Sequence, residues 1–511
     1  MGRIQNVKRN AIYNLLSNVV TMLLSFVTRT LFIYTLGVKY LGLNGLFTSI
    51  LGVLSLADLG ISTAITYSLY QPLSDDNQNK IGQIIALFGK MYKIIGTIIF
   101  VLGLCLVPFL KYLVNFPEGI NINYYVIYLL FLINSVSTYL FFSYKNTVLY
   151  ANQQSYLTVK YEIFYSIITM ISQIIVLLIL ENYYIYLLIP IFINIFKNYR
   201  ISKIAEGFFP IIKIKKFDPL DKKDKKEIIK NVYSISMIKI SGIVYTSSDN
   251  LVISTFINTS VVGYYSNYIM ILNIIKSLVG SIFNSMVASV GNLNASESPE
   301  YKYLTFKRLN FINFIIYAFC FICLNQLLNP FITVWIGGKY VFKNMTVLLI
   351  CITFLIPGMN NIINIYKDGC GLFWETRFRT LLTAIVNITI SIVLVKKIGI
   401  NGVLIGTILA YCLTIYIVDP LVVYKNIFLM PVIKYYTKLL VYFLCIFFAN
   451  GFIGMLFSKI TLNNMIGIII KLAIIVVVYV AFISVVFYKT DEYQYFMNLF
   501  KKIFEYPQTT G

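Results

Sequence analysis

Apolar stretches of helix length follow one another through this chain almost from end to end. That continuity constrains the fold more than any motif does. A helix that crosses a bilayer core needs roughly 20 apolar residues. Fourteen such stretches can be placed: 11–36, 41–68, 84–113, 123–147, 156–180, 182–200, 232–257, 261–288, 309–335, 344–366, 377–396, 401–424, 433–457 and 464–488. They leave no room for a soluble domain. Hydrophobic residues make up 59% of the chain and charged residues 12%, with a mean hydropathy of +0.79, outside the range of soluble compositions. The fold class is all-α: a polytopic membrane protein with about fourteen transmembrane helices.

Charge sets the expected orientation. The 42 Lys and Arg outnumber the 20 Asp and Glu, for a formal charge of +22. In a soluble protein such an excess would suggest nucleic acid. Here the basic runs sit at span ends without any nucleic-acid-binding module, as the positive-inside rule requires, so no nucleic-acid partner is expected. Arg3, Lys8 and Arg9, the run IKIKKFDPLDKKDKKEIIK after span 6, Lys302, Lys307 and Arg308, and Arg377 and Arg379 fall on one side. Segments on the other side (GVK, NFPEGIN, LENYY, FINTS, SKITLNN) are short and poor in base, with Lys396 and Lys397 as the main exception. Both termini are therefore expected in the cytoplasm. The N-terminus lacks a small-residue cleavage site and reads as an uncleaved first helix. Asn6 stands where a myristoylation signal needs Ser or Thr.

The hydrophilic stretch at 201–231 divides the chain. The expected layout is an N-lobe of spans 1–6 over 1–200, a basic cytoplasmic linker at 201–231, and a C-lobe of spans 7–12 over 232–428. Spans 13 and 14 follow within 429–490, and a cytoplasmic tail at 491–511. The two six-helix lobes read as pseudo-symmetric around a central cavity. Tyr40–Leu51 lies over Val261–Leu272 at a constant offset, sharing Gly42/Gly263, Ile50/Ile271 and Leu51/Leu272, and Asn10 and Asn231 open the halves at the same offset. With an even number of spans per half, these are parallel repeats about an axis along the membrane normal.

Polar groups at bilayer depth are costly and need a cavity or a partner. Span 1 carries Asn14, Asn18, Thr21, Ser25 and Arg29 on one face, and span 2 carries Ser55, Asp58, Ser62 and Thr66. Span 7 carries Lys239, Thr246, Asp249 and Asn250, and span 8 carries Asn273, Lys276, Ser277 and Asn284. Stripes on the first two helices of both halves point to a water-filled cavity. Neutral stripes also serve as helix–helix glue. Asp58 and Asp249 admit two readings, a structural ion pair with Arg29 or Lys276, or an ion-coupling site. Arg29 and Lys276 offer what an anionic phosphate head group needs. Lys145, Lys160 and Glu162 sit at cytoplasmic span ends, where snorkelling suffices. Ile356-Pro357-Gly358 should break the helical ladder of span 10, as a static kink or, alternatively, a hinge.

Several chemistries are excluded or unsupported. The chain has no His, hence no zinc–His site and no imidazole relay. Cys320 and Cys323 form a C-x-x-C within an apolar helix and read as core packing, so no metal is expected. There is no Walker G-x-x-x-x-G-K-S/T sequence and no TVGYG filter. No catalytic residues and no cofactor are expected.

Three strings carry a family resemblance. LGVKYLGLNGLFTSILGVLSLADLGISTAITYSLYQPL (Leu36–Leu73), SSDNLVISTFINTSVVGYYSNY (Ser247–Tyr268) and GINGVLIGTILAY (Gly399–Tyr411) resemble signatures of bacterial polysaccharide exporters and O-antigen-type oligosaccharide flippases. The resemblance is to the Gram-positive capsular and exopolysaccharide branch of the multidrug/oligosaccharidyl-lipid/polysaccharide exporter superfamily. It implies a cavity open alternately to each side of the bacterial cytoplasmic membrane, and as cargo an oligosaccharide repeat unit on undecaprenyl pyrophosphate. By position in these motifs it makes Arg29, Asp249 and Lys276 candidates to receive the cargo, and with the polar stripes the expected substrate-binding residues are Arg29, Lys276, Asn18, Ser25 and Asn273. Asp58, Asp249 and Lys239 become the expected ion-coupling or ion-pair residues, with H+ or Na+ as the coupling ion. Spans 13 and 14 would supply a groove for the polyprenyl tail, as in related lipid II flippases. Besides membrane lipids, the implied partners are a polysaccharide polymerase and glycosyltransferases. A multidrug/cation antiporter of the same fold would favour acidic cavities and usually twelve spans. A membrane polymerase or glycosyltransferase would need a sizeable outer loop or aqueous domain with paired carboxylates, and the outer loops here are short.

Overall fold

The computed structural model describes all residues except 1–2, 55–60, 114–121, 153, 215–216, 218–219, 223, 227, 230–246, 285, 288–289, 291–292, 295–296, 373–374, 459–463 and 506–511. Among the described residues the regular structure is helical. Ten helices are long and apolar enough to cross a membrane, eleven if Tyr124–Leu140 and Ser143–Ala151, bent by 48°, count as one span. All fourteen expected spans overlap helix, although most of span 7 lies outside the described residues. The protein is an all-α polytopic membrane protein.

Two compact units are present, Met1–Gly263 and Tyr264–Gly511. The first contains α1 (Arg3–Thr35), α2 (Val38–Leu54), α3 (Ile61–Ser74), α4 (Gln78–Leu106), α5 (Tyr124–Leu140), α6 (Thr147–Ala151), α7 (Ser155–Ile179) and α8 (Tyr183–Phe208). A helical stretch at 247–256 follows, and α9 (Thr259–Asn284) begins in this unit and continues into the second. Asparagines start several of these helices. Asn77 accepts a bond from the Lys80 amide, Asn123 from those of Tyr125 and Val126, and Asn182 from those of Tyr184 and Ile185. Each cap satisfies amides that the first helical turn leaves open. In this unit α1 packs against α7, α4 against α5, and α5 against both α2 and α8.

The second unit is built on α10 (Pro299–Ile336), whose 38 residues exceed the thickness of a bilayer core. Ser298 caps it and Pro299 occupies its first turn, where a missing N–H costs nothing. Around it pack α11 (Asn344–Met359), α16 (Ile433–Phe457) and α17 (Met465–Phe487). The core here is aromatic. Phe314 stacks on Tyr442 at 4.1 Å and 8°, and Phe487 closes edge-on against Phe314 at 5.5 Å. Next to it, α13 (Arg379–Ile398) and α14 (Ile400–Leu413) form a tight hairpin. Gly399 makes the reversal at φ +60, a left-handed region that suits glycine.

The break expected at Pro357 falls three residues later, at Asn360, and Pro357 itself stays inside the helix. Span 10 divides into α11 and α12 (Asn361–Gly369), with fully buried Asn360 between them. Proline removes ladder bonds, and buried carbonyls in a bilayer need replacements. Asn313 Nδ2 donates to the Gly358 carbonyl at 2.9 Å, and the Tyr416 hydroxyl to that of Ile356 at 3.0 Å. The Tyr435 hydroxyl donates to Asn360 Oδ1 at 3.1 Å. Span 12 is likewise divided, into α14 and α15 (Ile415–Val423), at Thr414.

The last helix, α18 (Asp491–Glu505), is held to the second unit by its first turn. Buried Glu492 accepts a hydrogen bond from Lys438 and lies 3.7 Å from Lys307. Arg308 lies over the Tyr495 ring, 4.3 Å from its centre. Burial pushes the Glu492 carboxyl up, but the Lys438 ammonium and the Lys307 charge outweigh it and hold the group below its ordinary value of 4.5. A depressed carboxylate adds stability that is complete above the ordinary value and lost as pH falls through the folded one. Docking of α18 is thus expected to hold above the ordinary value of 4.5 and to loosen progressively as pH falls below it. Hydrogen exchange in α18, corrected for intrinsic rate, should show the step, and Glu492→Gln should remove it. An unchanged step in that variant would assign the loosening to other groups.

Candidate functional site

In the first unit the polar stripe of α1 grades from exposed to half-buried. Asn18 and Thr21 are exposed, while Ser25 and Arg29 are half-buried. Arg29 lies within electrostatic reach of the Tyr186 phenol on α8. Phe32, one turn further on, packs against Tyr186 at 5.0 Å and Tyr183 at 5.9 Å. The Tyr183 hydroxyl donates to Asn44 Oδ1 on α2 at 2.6 Å, and Tyr40 meets the Tyr183 ring edge-on at 4.9 Å. Arg29 therefore stands beside a phenol-rich wall built from three helices. A guanidinium offers five donors in a planar fork suited to phosphate oxygens. Tyr183, Tyr186 and Asn44 were not among the expected residues. Their signal was the three-residue spacing of Tyr183 and Tyr186, which puts both on one face of span 6.

Asp249 is buried in the 247–256 helix. Its neighbour Asn250 donates from Nδ2 to Ser49 Oγ on α2 at 2.9 Å, so part of the span 7 stripe does serve as glue. Asp58 and Lys239, with Ser55 and Thr246, lie outside the described residues, as do the side chains of Asn14 and Asn284.

In the second unit Asn273 and Lys276 are both exposed on α9, three residues apart and so on one face. Among the described residues Lys276 makes no salt bridge.

Two charge clusters differ from the sequence reading. Lys145 does not snorkel. It is buried against Glu206 at 2.5 Å, and Lys203 takes the other carboxylate oxygen at 3.0 Å. Arg379, counted above with a basic loop, turns inward and pairs with fully buried Asp419 on α15. Lys367 is buried on α12 beside Asp368 at 3.2 Å. Below the Arg379 pair, Thr383 bonds Thr414 at 2.6 Å, and Ser391 donates to Asn387 at 2.8 Å. The sequence signal for Asp419 was an acid inside the apolar run IYIVDPLVV. Among the described residues no group of three or more His, Cys, Asp or Glu could hold a metal ion.

The sequence profile of the family described as "Polysaccharide biosynthesis protein" matches residues 7–287, more than half of the chain. This chain belongs to that family. No curated protein matches it. Solved structures resemble this polysaccharide biosynthesis protein in fold. The lipid II flippase MurJ in an inward closed conformation is 16% identical, covers 93% of this chain and 98% of its own, and has a TM-score of 0.66. An inward-facing multidrug resistance MATE family transporter of the MOP superfamily is 12% identical and covers 79% of this chain and 96% of its own, at 0.60. An outward-facing MATE family transporter is 11% identical and covers 83% and 96%, at 0.53. At such identities the likeness is one of fold. The family member described here is thus a multi-pass membrane protein with the architecture of flippases and transporters, as the three sequence strings implied.

Proposed function

We propose that this protein is a flippase. It carries undecaprenyl-pyrophosphate-linked oligosaccharide repeat units from the inner to the outer face of the bacterial cytoplasmic membrane, for capsule or exopolysaccharide assembly, by alternating access. The family match over residues 7–287 carries this reading. The cation-bearing stripe of α1 supports it, because a pyrophosphate leaving water needs fixed positive charge to replace its hydration. In this proposal Arg29 and Lys276 receive the pyrophosphate, and Asn18, Ser25 and Asn273 bond the sugars. Asp58, Asp249 and Lys239 would form the site of any H+ or Na+ coupling. The lobes are 1–200 and 232–428, joined by the linker at 201–231. Spans 13 and 14 hold the polyprenyl tail. Both termini, with the tail at 491–511, face the cytoplasm, where glycosyltransferases supply the cargo. A polymerase consumes it outside.

Depletion of the protein tests this directly. Repeat units still linked to lipid should accumulate, shielded from a sugar-cleaving enzyme added outside intact cells. Accumulation in the outer leaflet instead would place the protein after translocation. Absence of accumulation, with normal surface polymer, would remove the function.

A further inference from the structure

The repeat offset read from the sequence is 221 residues, since Gly42 lies over Gly263 and Tyr40 over Val261. The same offset carries Val38 onto Thr259. These four positions meet in space. A Cβ on Gly42 would lie 2.1 Å from the Thr259 carbonyl oxygen and 3.3 Å from the Gly263 nitrogen. A Cβ on Gly263 would lie 2.4 Å from the Val38 carbonyl oxygen and 3.0 Å from the Gly42 nitrogen. The contact is reciprocal. On each helix the residue four before the glycine presents its carbonyl to the other helix's glycine. Such self-matching is the mark of a two-fold contact. Backbones meet closely here, with only the Val38 Cγ1 methyl at the edge, 2.8 Å from a Cβ on Gly263, in a geometry suited to Cα–H···O bonding.

The seam continues along α2. Gly45 would meet Val262 Cγ1 at 3.2 Å, Ser49 accepts from Asn250 at 2.9 Å, and Gly52 would meet Ser247 Oγ at 3.3 Å. Tightness is greatest at the Gly42 end, which is next to the turn at Leu36 and Gly37 and the turn at Ile257 and Asn258. In the orientation proposed above both turns face outside.

We propose that the Gly42–Gly263 crossing is the outer closure of the transport path, a close backbone joint that parts when the cargo leaves. A contact centred on two glycines closes tightly yet leaves few interlocked side chains to extract on opening. The assignment rests on the orientation in the proposed function, but its first test, by labelling, needs no cargo.

A cysteine-free protein carrying Ser49→Cys is labelled in intact cells with a membrane-impermeant maleimide. Labelling should be slow, and either Gly42→Ala or Gly263→Ala should speed it about tenfold by wedging the joint open. Gly207→Ala is the control, because a Cβ there meets nothing within 4 Å. Unchanged labelling in both alanine variants, with thermal midpoints showing folded protein, would overturn the proposal. So would labelling reachable only from the cytoplasm. Should the alanine variants fail to fold, Ser49→Cys/Asn250→Cys keeps the test open. Oxidation of that pair should stop export, and reductant should restore it. Export at the wild-type rate by the cross-linked protein would sink the closure.

Discussion

Replacing Arg29 with alanine is expected to reduce surface polysaccharide roughly 30-fold while leaving the protein in the membrane, because removing one side of a desolvated charge contact costs about 2 kcal/mol or more. In the proposed function the pyrophosphate would bring its charge against these aromatic rings, where less hydration is available to it. Arg29 is the cation that stands at that wall, beside Tyr186. Arg29→Lys keeps the charge but loses the planar fork, so it should recover part of the activity, a loss of about fivefold. Lipid-linked repeat units should build up on the inner leaflet of the alanine variant. Quantifying surface polymer, inner-leaflet intermediate and membrane-inserted protein in the three strains decides the matter. An alanine variant that is normally inserted and exports at the wild-type rate would leave Arg29 a structural residue.

The second large effect concerns stability. Asp419→Ala would strand the Arg379 guanidinium in the interior of the second unit. Breaking a buried pair from one side typically costs about 3–5 kcal/mol, whereas replacing both partners by apolar groups of similar volume is often neutral. Asp419 is fully buried, and its Oδ1 has no hydrogen-bond partner among the described residues. The single variant should therefore show a much lower thermal midpoint in mild detergent, or fail to accumulate. Arg379→Met/Asp419→Leu should melt near the wild type. Equal melting of the single variant and the wild type would show that the pair does not hold the unit together.

The contrast between these residues explains what the sequence could and could not convey. A span announces itself because about 20 apolar residues in a row have few other uses. That span 10 would be disturbed was foreseeable because proline removes a ladder bond, but not that the helix would run past Pro357 and divide at Asn360. Arg29 was visible as a cation well inside an apolar stretch. Its wall was not. With 41 tyrosines in the chain, a pair at helical spacing carries little information until a third helix brings Phe32 and Asn44 against it. Arg379 was misread for a related reason. It sits at a span end beside Arg377, where a basic loop is the ordinary expectation, and its acid is 40 residues away. Lys145 and Glu206 are separated by 61 residues. Pairings over such distances are properties of the packed unit, not of any local pattern.

The clasp at Glu492 bears on how the chain is made. Ribosomes deliver Lys307 first, Lys438 later and Glu492 only after the residues of α17. Until then the two lysines face each other's charge without their shared carboxylate. Assembly of the second unit is therefore completed only after α17, when Glu492 arrives to pair with both lysines. A nascent chain arrested before α18 would expose that unbalanced pair to the surveillance proteases of the membrane.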